Sequence, residues 1–190
     1  MGVTETAPGT RDFSRRAALR LGGGGMISLL AASFPASASI YAAGYRSLSF
    51  NHRYTGESVD VTYWADGDYV PQALDEIDVL LRDVLTDQTT RIDVGLLDYL
   101  YLLRDTLETV EPFQVVCGYR SPGTNAALAR KSRRVAWNSL HMEGRAIDIR
   151  LPGRRLRDVR RAALDLRLGG VGYYPRDKFL HIDTGDVRSW

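Results

Sequence analysis

The polar and apolar positions between residues 48 and 183 change period along the chain, and each period predicts an element. Leu48 to Tyr54 and Ser58 to Trp64 alternate around a Thr-Gly-Glu turn, which is the pattern of a β-hairpin. Asp66-Gly67 closes it. Pro71 then opens a helix whose apolar positions Leu74, Ile77, Leu80, Leu81 and Val84 recur at helical spacing. Asp93 is placed to cap a second helix, with Leu96, Leu97, Leu100, Leu103 and Leu107 on its inner face. Pro112 ends that run, and Phe113 to Tyr119 reads as a strand. "SPGTNAALARKSRR" is a turn followed by a short helix. "RAIDIRLP" is a strand. "RLRDVRRAALDLRL" is an amphipathic helix with Leu156, Val159, Ala163 and Leu166 inward and its arginines outward. "GGVGYY" and "KFLHIDTG" are strands about a turn at Pro175 to Asp177. The order predicts an α+β fold: a small antiparallel sheet with helices packed against it.

Residues 1–43 have a different pattern. A charged stretch containing Arg15-Arg16 precedes a glycine-rich apolar run and a small-residue exit, Ala36-Ser37-Ala38. This predicts a twin-arginine-type export signal over 1–43, with a folded domain over 44–190 and cleavage at Ala38 or nearer Ala43. The apolar run is shorter than the ~20 residues a membrane span requires, so no stable span is expected unless the leader stays uncleaved as an anchor. No cysteine stands near the cut to carry a lipid.

The chain carries 25 Lys and Arg against 23 Asp and Glu. Without residues 1–38 the balance is 21 against 21. The excess of positive charge belongs to the leader, and nucleic acid is not expected as a partner. The arginines at 130–134 and 154–161 read first as solvated helix surfaces, with contact to an anionic polymer as the second reading. The single cysteine, Cys117, sits in the apolar run "FQVVCG" and reads as a small buried hydrophobe.

Candidate chemistry follows from strand parity. In 146–151, Ile147, Ile149 and Leu151 share the core face, so Ala146 and Asp148 point the other way. In 179–183, Leu180 and Ile182 are core, so Phe179, His181 and Asp183 face away from it. If the two strands are neighbours, Asp148 and His181 converge. His141, ahead of a bend at Gly144, can fold over the same spot, and Ala146 leaves room. Two imidazoles and one carboxylate with a fourth position for water are the donors of a catalytic zinc site. The helical H-E-x-x-H arrangement is absent. The remaining histidine, His52, lies in the first hairpin and reads as an ordinary polar residue.

"SLHMEGRAID" has the pattern S-x-H-x-x-G-x-A-x-D, with Ser139, His141, Gly144, Ala146 and Asp148 in place. With "CGYRSPGTN" upstream and "FLHIDTGDVRSW" at the end, it resembles the zinc D-Ala-D-Ala-type peptidases of the Hedgehog/DD-peptidase fold, and within them the YcbK-like murein endopeptidases. The resemblance spans most of residues 45–190. It implies a small antiparallel sheet carrying one zinc ion on His141, Asp148 and His181. It implies hydrolysis of peptide bonds in peptidoglycan stems or cross-bridges outside the cytoplasm, in the periplasm or its equivalent. Arg120 matches the arginine that stabilises the oxyanion, a role suited to a fixed guanidinium. Ser139 is expected to support the loop or a substrate group. One departure stands out. Where relatives carry a glutamate as general base, three residues before the last histidine, this chain has Lys178. Asp183 is the expected substitute, acting either as the base or as the group that orients His181, and Asp177 ranks behind it. A carboxypeptidase or dipeptidase on stem ends is the alternative enzyme. A zinc-containing wall-binding module without catalysis is the alternative outside enzymology.

Overall fold

The computed structural model describes Met1 and residues 44–190, so the export-signal expectation lies outside the described residues. The chain folds as β1 (Tyr45–His52), β2 (Ser58–Ala65), β3 (Asp68–Tyr69), α1 (Pro71–Leu80), α2 (Val94–Thr106), β4 (Phe113–Cys117), α3 (Pro122–Lys131), a 3₁₀ turn (Leu140–Glu143), β5 (Ala146–Arg150), α4 (Leu156–Leu166), β6 (Gly170–Tyr174), β7 (Phe179–Asp183) and β8 (Arg188–Ser189). The class is α+β, as the periodicity predicts. The sheet is larger and less uniform than expected. It has eight strands in the order β3-β2-β1-β4-β5-β7-β6-β8, and β1/β4 and β6/β8 pair in parallel. The parallel β1/β4 pair needs a long crossover, and the segment holding α1 and α2 provides it. Two-residue strands such as β3 and β8 are too short to leave a periodic signature.

Two helices begin where the sequence places them. Pro71 stands in the first turn of α1, and the Asp93 side chain accepts the Gly95 N–H (3.0 Å) at the start of α2. Three ends differ. The first strand turns earlier than expected, because the buried His52 Nδ1 accepts the N–H groups of Tyr54 (3.4 Å) and Thr55 (3.3 Å) and tightens the hairpin end. His52 is therefore a structural residue of this turn. Helix α1 stops at Leu80 and leaves Val84 exposed, since the chain turns there around Asp83. Asp83 is buried and accepts the N–H of Leu85 (2.9 Å) and of Ser121 (2.8 Å), tying this loop to the start of α3. Strand β4 ends at Cys117, at an irregularity described below.

One face of the sheet is the core. Leu48, Phe50, Val115, Ile147, Ile149, Leu180 and Ile182 pack there against Ile77 and Leu80 of α1, Leu96 to Leu103 of α2, and Val159 and Ala163 of α4. Each such fully buried side chain contributes about 1.5–3 kcal/mol relative to exposure. Helix α3 supplies nothing to this cluster. Its buried residues are Thr124 and Asn125, both polar, and its work is on the other side of the sheet.

Candidate metal centre

The pairing of β5 with β7 is antiparallel, with Asp148 directly opposite His181 and Ile147 opposite Ile182. Core residues therefore meet core residues, and the two polar side chains meet on the opposite face. His141 reaches the same place from the 3₁₀ turn. That turn ends at Gly144 in the left-handed region (φ 66°), where a Cβ would stand 2.5 Å from the Arg91 carbonyl oxygen. A side chain there would be both strained and obstructed. Ala146 lies opposite Asp183, and its small side chain keeps the β5 face open beside the site.

Three atoms converge. His181 Nδ1 is 2.9 Å from Asp148 Oδ1, His141 Nε2 is 3.1 Å from His181 Nδ1, and His141 Nε2 is 3.3 Å from Asp148 Oδ1. The outer nitrogen of each ring is fixed by a group that can only accept. His141 Nδ1 donates to the Gly118 carbonyl (2.7 Å), and His181 Nε2 donates to Asp183 Oδ2 (2.9 Å). In their neutral forms both rings then aim a lone pair at the Asp148 oxygen and at each other. Three acceptors so close together repel unless a cation or a proton lies among them. Tetrahedral zinc with bonds near 2.0–2.1 Å would hold such donors about 3.3 Å apart, so the triangle fits that ion.

In the metal-free fold a proton relieves the same repulsion. Burial disfavours the charged form of Asp148, but His141 and His181 outweigh it and hold the carboxyl well below its ordinary range. Burial acts against a charged His141 as well, and the adjacent Asp148 and Cys117 override it and raise its pKa. Asp183 behaves like Asp148: burial is outweighed by the bonds from His181 and Arg188, and its pKa falls.

Asp183 is fully buried, and its carboxylate accepts five N–H groups: Gly170 (3.1 Å), Gly185 (2.8 Å), His181 Nε2 (2.9 Å) and both Nη atoms of Arg188 (3.0 and 2.8 Å). Of the two expected roles, this geometry favours orienting His181 over taking a proton, because little lone-pair capacity remains. Asp177 lies at the cleft mouth, half exposed and bonded to Arg134 (2.8 Å). It belongs to the turn before β7 and lines the same cleft as His181. Lys178 occupies the turn with φ 59°.

Cys117 corrects the sequence expectation. Alternation alone would put it on the core face with Phe113 and Val115. A β-bulge intervenes: Val115 pairs with Ile149, and Cys117 with Asp148, so one extra residue on β4 re-aims the thiol toward the site. Its sulfur, with the ligand atoms of His141 and Asp148, forms a cluster within 4.8 Å. Arg120 is locked beside it. Its Nε donates to Cys117 Sγ (3.2 Å), Nη1 to Asn125 Oδ1 (3.5 Å) and Nη2 to Asp148 Oδ2 (3.2 Å). Asn125 in turn donates to the carbonyls of Ala136 and Trp137 (3.0 Å each), pinning the segment that forms one cleft wall. Ser139 lines the cleft, and its hydroxyl makes no cap bond to the turn it precedes.

The site opens into a cleft of about 350 Å³. One wall runs from Arg134 to Leu140, and the other carries Tyr174, Phe179 and Trp190. Tyr174 and Phe179 stack at 4.5 Å, and Trp190 lies 5.3 Å from the His181 ring while donating to Tyr174 Oη (2.9 Å). The crowded Gly172 makes this possible, since a Cβ there would stand 2.8 Å from the indole. Strand parity does not single out Trp190, which lines the cleft, or Asn125, which pins its wall, although the "CGYRSPGTN" and "DVRSW" stretches that carry the resemblance hold them.

A sheet with α1, α2 and α4 on one face, and on the other a His-Asp-His triangle set in an arginine-bearing cleft, defines the Hedgehog/DD-peptidase class of fold. The chain belongs, within it, to the family described as Peptidoglycan L,D-endopeptidase MepK, whose model matches residues 40–190. It is 41% identical over 181 residues to the Peptidoglycan L,D-endopeptidase MepK of Escherichia coli (strain K12), covering 94% of this chain and 98% of that one. It is 40% identical, over 94% and 96% of the two chains, to the Probable peptidoglycan L,D-endopeptidase MepK of Haemophilus influenzae. No solved structure gives a significant match. Among the described residues, no helix is long and apolar enough to cross a membrane.

Proposed function

We propose that this chain is a zinc-dependent peptidoglycan endopeptidase, acting outside the cytoplasm on an amide that joins an L- to a D-configured centre in peptide cross-links. The carrying observation is the triangle of two imidazole lone pairs and one carboxylate oxygen with both outer ring nitrogens already committed. The family and its 40–41% identical relatives supply the substrate class. His141, Asp148 and His181 hold the ion. When bound, zinc lowers the pKa of a water from ~16 toward ~7 and polarises a carbonyl. The chain's own residues do the rest. Asp183 fixes the His181 ring. Arg120, held by Cys117, Asn125 and Asp148, presents a fixed positive charge to the oxygen on which negative charge develops. Ser139 offers a hydroxyl to the substrate backbone. Residues 1–43 serve as the export signal, by the twin-arginine route.

Purified protein is expected to contain one zinc per chain by elemental analysis. Sacculi treated with it and then digested with a muramidase should show uncross-linked muropeptides in place of cross-linked ones, read by mass spectrometry, and His141→Ala and His181→Ala should lose both properties. Free D-amino acid released without loss of cross-links would instead identify the carboxypeptidase. Two features favour the non-catalytic wall-binding reading: Lys178 stands where the resemblance leads one to expect a glutamate, and Asp183 is saturated with donors. Sacculus binding by zinc-loaded protein with no turnover would establish it.

A further inference from the structure

Three guanidinium groups line the cleft, and two are fully engaged. Arg120 is mostly buried and bonded to Cys117, Asn125 and Asp148. Arg188 makes a two-pronged pair with the buried Asp183 and also donates to the Asp186 carbonyl (2.9 Å). Arg134 differs. Among the described residues its one ion-pair partner is Asp177, across the cleft mouth, and the two side chains are 60% and 47% exposed. The Arg134 guanidinium also lies 5.1 Å above the Tyr174 ring, on the aromatic wall.

We infer that Arg134 is a specificity residue that binds a free carboxylate of the peptide stem beside the scissile amide, a place that the Asp177 carboxylate takes in the free protein. This rests on the proposed peptidase reading and adds the substrate group recognised. The physical case has three parts. An exposed ion pair is worth little, so exchanging the Asp177 carboxylate for a ligand carboxylate costs little. Tyr174 supports the guanidinium from one side at 5.1 Å, and a guanidinium fork can donate two parallel N–H···O bonds to a carboxylate. The turn carrying Asp177 does not depend on the exchanged pair, because Arg150 Nη2 separately holds the Asp177 carbonyl (2.8 Å).

The test uses a synthetic cross-linked stem peptide in two forms, with that carboxylate free or amidated, against the zinc-loaded full chain. Arg134→Ala is expected to raise KM for the free acid about tenfold or more, with kcat within about twofold. Amidation should raise the wild-type KM by a similar factor and leave that of Arg134→Ala unchanged. Asp177→Asn should lower KM or leave it as it was. Equal discrimination between acid and amide by wild type and Arg134→Ala would overturn the inference. So would equal damage from the Arg134 and Asp177 substitutions, which would show a latch holding the cleft wall. Should wild type cleave neither form, the peptidase reading fails. Calorimetric binding of the acid and amide product peptides, which are not turned over, then decides the Arg134 question by the same comparison.

Discussion

Single residues govern this site through contacts on its outer side. Gly118 is the clearest case. A Cβ at that position would stand 2.4 Å from the Leu81 carbonyl oxygen, and the Gly118 carbonyl is what fixes the His141 ring. Gly118→Ala must push backbone against backbone. It is expected to weaken zinc binding about tenfold or more, measured by chelator competition, while also lowering the urea midpoint. Asp183→Asn keeps the shape but leaves His181 Nε2 and Arg188 without a charged partner. Zinc affinity should fall by about 10–100-fold. Unchanged zinc affinity with lost turnover would instead return Asp183 to the role of base.

Above single residues, the site depends on an irregular strand end and a polar helix. The bulge in β4 turns Cys117 toward Arg120, and α3 contributes Asn125 instead of apolar packing. Asn125 is 1% exposed and bridges Arg120 to two carbonyls of the cleft wall. Asn125→Leu would strand those carbonyls, at about 1–3 kcal/mol. Amide exchange should quicken across residues 132–138, with β5 and β7 unchanged. Uniform quickening over the whole domain would contradict this local role.

Across the fold, buried carboxylates make the stability depend on pH. Asp83, Asp148 and Asp183 are all depressed in the fold. For Asp83, burial is outweighed by hydrogen bonds from Thr124 and Ser121, which bring it to about 2. Carboxylates depressed below their unfolded value near 3.9 stabilise fully above that pH, and the contribution is lost as pH falls through the folded values. Metal-free protein should therefore lose stability from about pH 4 downward, followed by thermal melting. Asp83→Asn should shrink the portion lost between pH 4 and 2, about 2 kcal/mol. His141 runs the other way in the metal-free state: its pKa is raised, so its contribution is complete below about 6.5 and fades at alkaline pH. On the core face, Ile147→Ala should cost about 2–5 kcal/mol by urea titration.

Much of this was legible in the chain because it is local. Alternation put Asp148 and His181 on the face away from Ile147, Ile149, Leu180 and Ile182, and Asp93 and Pro71 announced their helices. Strand parity needs no knowledge of the neighbouring strand, so it can be read from five residues. What lay beyond reach was set by partners distant in sequence: the Asp148–His181 register, the parallel β1/β4 pair, the bulge that reversed Cys117, and the bonds that committed both outer imidazole nitrogens. Local periodicity decides which way a side chain points from its own strand. The donor it meets there, and the lone pair left over for a metal, are decided when separate segments close against each other.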